Sequence, residues 1–187
     1  MQKTICIYND EGVSETASFA LKTAFHAVDP TFDLIELKAI DIIKGKWRSQ
    51  ASVLVMPGGG DLLYCHKLNG AGNQQIRKFV EQGGTYLGFC AGAYYGSSYC
   101  DFAYTVHPHK HYVIGARELA FYPGHAIGPY LSSYKINSEG GACVANVEWL
   151  SDKNPNEKYN VYFNGGCYFS RPELHKNVTV LARYSIS

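Results

Sequence analysis

The sequence predicts an α/β fold: a three-layer, mostly parallel sheet with antiparallel strands added in its second half. Three observations carry this. Thr4–Tyr8 and Ser52–Met56 are nearly continuous apolar runs, the pattern of strands covered on both faces. Such runs alternate with helical periodicity through about residue 98, the mark of a parallel sheet flanked by helices. Finally, the apolar run Thr85–Phe89 enters a helix-like stretch, Ala91–Tyr95, through a single residue, Cys90.

Taken in order, Thr4–Tyr8 is the first strand and Asn9–Gly12 a loop. Ser14 is a natural N-cap, because its hydroxyl can accept an otherwise unpaired amide of the first turn. Ala17, Ala20, Leu21, Ala24, Phe25 and Val28 then recur at helical spacing until Asp29-Pro30. Phe32–Leu37 reads as a second strand, Ala39–Lys44 as a short helix or turn, and Ser52–Met56 as a third strand ending in Pro57-Gly58-Gly59-Gly60-Asp61. A helix over Asn73–Gln82 closes on Gly83-Gly84, as glycine after a helix allows. From Tyr99 the texture changes. Tyr99–Pro108 is aromatic and irregular, and strands are expected at Glu118–Phe121, Ser133–Asn137, Ala142–Val147, Asn160–Phe163 and Val178–Tyr184. No linker or repeat divides the chain, so residues 1–187 read as one domain.

Hydrophobic residues at 46% and charged residues at 18% describe a globular chain. A net charge of +1 without a basic run argues against nucleic acid or an anionic membrane as the main partner. No apolar run reaches membrane-spanning length. The N-terminus passes straight into a strand without a signal-peptide pattern, which suggests a cytoplasmic protein. The six cysteines show no C-x-x-C spacing, so neither a zinc site nor a redox pair is expected. His107-Pro108-His109-Lys110-His111 has the look of a metal tract but reads as a solvated loop. No metal or cofactor is expected.

The chemistry centres on Cys90. A residue at a strand-to-helix elbow is forced into a strained backbone conformation with its side chain exposed. Gly88 and Gly92 supply the small neighbours that such a turn needs. The amides of the following helix should favour the thiolate. Pro57-Gly58-Gly59-Gly60 lies at the carboxyl end of a neighbouring strand, where open α/β sheets bind ligands. Gly59, Gly60 and Ala91 are therefore the candidate oxyanion donors. A nucleophilic thiol also needs a base. His125 follows a strand and is the candidate, with His66 near the glycine loop as another. Asp10 or Glu11, at the end of the first strand, could bring a carboxylate to Cys90 or to a ligand amine. An inert, buried cysteine and ordinary loop charges are the plain alternatives.

Pro57-Gly58-Gly59 followed by Gly88-Phe89-Cys90-Ala91-Gly92 resembles the class I glutamine amidotransferase-like superfamily. More narrowly, the chain resembles the N-terminal domain of biotin protein ligases and its stand-alone bacterial relatives. That likeness runs through Tyr8-Asn9 with Gly12-Val13-Ser14, Met56–Gly59 with Asp61 and Tyr64, and Leu68-Asn69-Gly70 with Gly72-Asn73. It continues through Tyr86–Tyr95, Arg117–Gly124 and Val161–Gly166. The resemblance implies a flavodoxin-like amidotransferase fold. It does not imply biotin ligation, since no Gly-Arg-rich biotinoyl-adenylate loop is present. Working amidotransferases end a late strand in His-Pro-Glu, and that histidine is the base. Here the corresponding strand is followed by Asn164-Gly165-Gly166, and an asparagine is no base near neutral pH.

Two readings of nearly equal weight follow. One is a cysteine-dependent amide or acyl hydrolase or transferase, with Cys90 as nucleophile and another residue as base. The other is a ligand-binding or regulatory module whose cleft is lined by Tyr64, Tyr94, Tyr95 and Asn164. Its partners would be a small molecule and, without a partner domain in the chain, a separate protein.

Overall fold

The structure is a computed structural model that describes residues 3–106, 109–131, 134–135, 138–150 and 157–185. It divides into two compact units, Met1–Ser98 with Ala116–Phe121 and Tyr99–Gly115 with Tyr122–Ser187.

The first unit is built on β1 (Thr4–Tyr8), β2 (Asp33–Leu37), β3 (Val53–Met56) and β4 (Thr85–Gly88). They form a parallel sheet in the order β2-β1-β3-β4. Successive side chains of a strand face opposite ways. On one face Ile5, Ile7 and Val55 pack with Leu21 and Phe25 of α1 (Glu15–Val28). On the other face Cys6, Tyr8, Leu54 and Met56 are fully buried. There Tyr8 meets Tyr64 of α3 (Asp61–Leu68) edge-on, ring centroids 5.4 Å apart. α2 (Ala39–Lys44), α4 (Ala71–Glu81) and α5 (Ala91–Tyr95) complete that helical side. The result is three layers, with helices on both faces of the parallel sheet.

Ser14 caps α1 as expected, its Oγ accepting the Ala17 amide. α3 has no counterpart in the sequence reading, and α4 starts two residues earlier than the periodicity alone indicates. Glu118–Phe121 is not a strand. Its polar groups serve the helices instead: Glu118 Oε2 accepts from Gly70 N and Asn73 Nδ2, each at 2.8 Å, and the Glu118 carbonyl accepts from Arg77.

The second unit contains the antiparallel strands expected after residue 98, and they pair among themselves. β5 (Ser97–Val106) and β6 (His109–Ala116) join β7 (Tyr122–Gly128) and β10 (Tyr168–Phe169) in the order β10-β7-β5-β6. β8 (Cys143–Trp149), β9 (Glu157–Phe163) and β11 (Ala182–Tyr184) form a second sheet in the order β11-β8-β9. The segment Tyr99–Pro108, read as irregular, is strand through Val106, with its last two residues outside the described ones. The strand expected over Val178–Tyr184 shrinks to its last three residues. Of the strand expected at Ser133–Asn137, residues Ser133, Ile136 and Asn137 lie outside the described residues. Aromatic pairs hold this unit together. Tyr130 stacks on Tyr184 at 4.3 Å, and Tyr122 packs against Phe169 at 4.6 Å.

Candidate functional site

The site lies at the carboxyl ends of β1, β3 and β4, where the sheet order reverses between β1 and β3, the place at which open α/β sheets bind ligands. Here the two loops are stitched together by backbone. Gly12 O accepts the Gly60 amide at 2.8 Å, and Gly58 O accepts the Ser14 amide at 3.0 Å. Gly59, with φ +150°, comes so close that a Cβ there would sit 1.9 Å from Gly12 O. A side chain at that position would break the stitch.

Cys90 occupies the turn between β4 and α5 with φ 48° and ψ −111°, a strained conformation for a residue with a Cβ. The flanking glycines are required by contact. A Cβ on Gly88 would lie 2.4 Å from Gly92 O, and one on Gly92 would lie 2.0 Å from Met56 O. Gly58 passes close by, since a Cβ there would be 3.3 Å from the Cys90 Cβ. The turn is locked between strands by Phe89 N to Met56 O at 2.9 Å and Gly92 N to Pro57 O at 3.0 Å.

Three donors address the sulfur: the Ala91 amide, the Tyr94 hydroxyl and the Gly59 amide. Each favours the thiolate. Cys90 is solvent-accessible as a residue, yet protein crowded around the sulfur removes hydration from the charged form. Desolvation outweighs the three donors, Asp61 adds its negative charge, and the thiol is held above its ordinary value. The expected pull of the helix amides toward the thiolate is present, through Ala91, but is overcome by desolvation. Among the first unit's described residues, no imidazole is among the groups acting most strongly on the thiol.

The expected site residues separate into groups. Gly59, Ala91 and Tyr94 meet Cys90. Gly60 does not serve as an oxyanion donor, because its amide already bonds Gly12 O. Tyr64 and Tyr95 do not line a ligand cleft, since both are fully buried. Tyr64 donates to the Pro57 and Gly58 carbonyls, each at 3.2 Å, and Tyr95 donates to Asn73 Oδ1 at 2.6 Å. Their hydroxyls brace the glycine loop and α4. Asp10 accepts the Ala39 amide and so caps α2, while Glu11 pairs with Lys67 at 2.8 Å. His125 and Asn164 belong to the second unit. There the His125 ring stacks on Tyr99 at 4.7 Å, and Asn164 Nδ2 donates to Ser138 O at 3.1 Å. Among the described residues no cluster of His, Cys, Asp or Glu is arranged to hold a metal. No helix among them is long and apolar enough to cross a membrane.

The family model described as biotin-protein ligase, N terminal, matches residues 3–187. The chain belongs to the biotin-protein ligase N-terminal family. It is 35% identical over 181 residues to a biotin–protein ligase of Schizosaccharomyces pombe, an alignment covering 96% of this chain and 28% of that protein. It is 34% identical over 193 residues to an uncharacterized protein of Chlamydia muridarum, covering 97% of this chain and 69% of that one. A crystal structure of a thua-like protein from Bacteroides uniformis shares the fold, with a TM-score of 0.57 at 15% identity over 98% of this chain and 68% of the other.

Within this biotin-protein ligase N-terminal domain, sequence reasoning missed the roles of two residues beside the site. Asp61 opens α3 directly after the glycine loop, and its Oδ2 lies 2.6 Å from Arg117 Nε, with both side chains 2% exposed. Burial pushes the Asp61 carboxyl up, against the downward pull of Arg117. The signal available was an acidic residue directly after the glycines and an arginine at the head of Arg117-Glu118 and the apolar run Leu119–Tyr122. Neither reveals a pairing across 56 residues of chain.

Proposed function

We propose that this chain is a ligand-binding regulatory module of the biotin-protein ligase N-terminal type, and not a biotin ligase by itself. Its recognition point is Cys90 with the Gly59 and Ala91 amides and the Tyr94 hydroxyl. The observation that carries this reading is the balance at the sulfur. Three donors converge there, yet desolvation keeps the thiol above its ordinary value, which suits recognition better than attack. Such donors suit a carbonyl or carboxylate oxygen on a small molecule. The S. pombe relative is named a biotin–protein ligase, and this chain spans 28% of it. A biotin-ligase catalytic domain is accordingly the protein partner that the module would serve.

The amidotransferase-like hydrolase or transferase is the second reading, favoured by the strained φ of Cys90 beside two amides. Two measurements separate the two. With L-glutamine or biotin as probes, the module reading expects one of them to raise the melting temperature. It also expects ammonia release from glutamine no faster than in Cys90→Ala. No shift with either probe counts against recognition at this site, and ammonia release that depends on Cys90 makes the protein an amidase.

A further inference from the structure

A fully buried ion pair of the first unit, Asp61 with Arg117, lies beside this site. Asp61 follows the loop whose Gly59 amide faces the sulfur and whose Gly58 backbone abuts Cys90. Arg117 is itself anchored, its amide donating to Ser98 O at 3.0 Å and its Nη1 to Ala116 O at 3.1 Å. The guanidinium therefore meets the carboxylate from a backbone already fixed. A buried carboxylate without such a partner would have to be protonated or would strain the loop that carries it.

We propose that Arg117 is a positioning residue for the Cys90 site: it fixes and neutralises Asp61, and so holds the Gly59 amide and the local charge against the sulfur. The role rests on Cys90 being the recognition point. Asp61 is one residue past Gly60, so any release of its carboxylate is passed directly to the loop. The titratable or charged groups that act on the thiol are Asp61 and Tyr64 on α3 and Tyr94 on α5, and Arg117 reaches it through Asp61. Asp61 and Arg117 are the two ionic members at neutral pH. Arg117 offsets part of the Asp61 charge that the sulfur meets, and removing either one leaves the other uncompensated.

The test is the pH midpoint of Cys90 alkylation by iodoacetamide, read by peptide mass spectrometry on the full chain. Asp61→Asn leaves Arg117 uncompensated and should lower the midpoint. Arg117→Met leaves Asp61 uncompensated and should raise it. The double variant should return toward wild type, and Arg117→Lys should stay near it. Shifts of about half a unit are expected, or about threefold in labelling rate at a fixed pH below the midpoint. A structural clamp alone would lower the melting temperature of the single variants and leave every midpoint in place, and that result overturns the proposal. If Arg117→Met does not fold, Asp61→Asn and the uncharged double variant still decide. The midpoint needs neither ligand nor turnover. A failed ligand titration therefore leaves these shifts standing, and unmoved midpoints leave ligand recognition standing.

Discussion

The two units are held together by different means. Around Cys90 the first unit relies on backbone approaching backbone, with glycine wherever a Cβ would collide, backed by the buried tyrosines Tyr8, Tyr64 and Tyr95 on that face and by an aliphatic cluster against α1 on the other. The second unit relies on rings: Tyr130 on Tyr184, Phe163 against Tyr184, Tyr122 against Phe169 and Phe102 against Tyr134. Its strand β9 is exposed along all of its residues but Phe163. Close backbone packing fixes positions sharply and tolerates no added atom. Aromatic pairing stabilises thin sheets that have little interior, and it absorbs small displacements. The part of the molecule that needs accurately placed amides is the part built from glycine.

The largest break in this contrast should come from Gly92→Ala. Its new Cβ would sit 2.0 Å from Met56 O, and a backbone carbonyl in a parallel sheet cannot step aside. A loss of about 3 kcal/mol or more is expected in urea unfolding, the scale of severe overpacking. Gly60→Ala is the matched control. Nothing lies within 4 Å of its Cβ position, and its φ of −118° suits any residue, so its effect should stay within about 0.5 kcal/mol. Equal effects at the two positions would show that contact does not set the need for glycine.

The same division explains what the sequence made legible. The parallel half was readable because apolar runs, Ser14 and the closing glycines each state a local rule, and every one of β1 to β4 fell where such a run lay. Cys90 at its turn was readable for the same reason. Tyr64 and Tyr95 were misjudged because a tyrosine reads alike whether its hydroxyl faces a ligand or a buried carbonyl. Gly60 was misjudged because its amide is claimed by Gly12, 48 positions earlier, a pairing that no local pattern displays. The second unit was read in fragments. Its strands mix tyrosine, histidine and glycine, as in Tyr122–Gly128, and alternate too weakly to separate strand from loop. Its rings meet partners distant in the chain, as Tyr130 meets Tyr184 and Tyr122 meets Phe169, pairings that no local pattern displays.

A pH measurement sharpens the comparison from the side of the first unit's interior. Cys6, in the middle of β1, is fully buried, and burial, with a smaller contribution from Asp33, pushes its thiol from 9.0 up to about 11. The unfolded chain loses this proton before the folded one does, so above pH 9 the unfolded state binds fewer protons and stability falls as pH rises. The contribution is fully present below pH 9 and is lost progressively toward pH 11. The loss amounts to about 2 kcal/mol at a scale of about 1.4 kcal/mol per unit. Cys6→Ala should unfold more easily at neutral pH but show a shallower decline between pH 9 and 11. An unchanged slope in that variant would assign the alkaline loss to other groups.

The smallest effect belongs to the second unit, and it tests whether rings do there what glycines do in the first. Tyr130 and Tyr184 lie nearly parallel, 13° apart, and Tyr184 also meets Phe163 edge-on at 5.9 Å. Tyr130→Leu, Tyr184→Leu and the double variant form a cycle whose coupling term isolates the ring pair. A coupling of about 0.5–1.5 kcal/mol is expected, the range measured for aromatic pairs. Amide hydrogen exchange should localise the lost protection to β8, β9 and β11 while β1 to β4 keep theirs. This pattern requires the two units to respond separately. A coupling near zero would mean that the rings merely cover area, and that the second unit is held by its strand hydrogen bonds rather than by stacking.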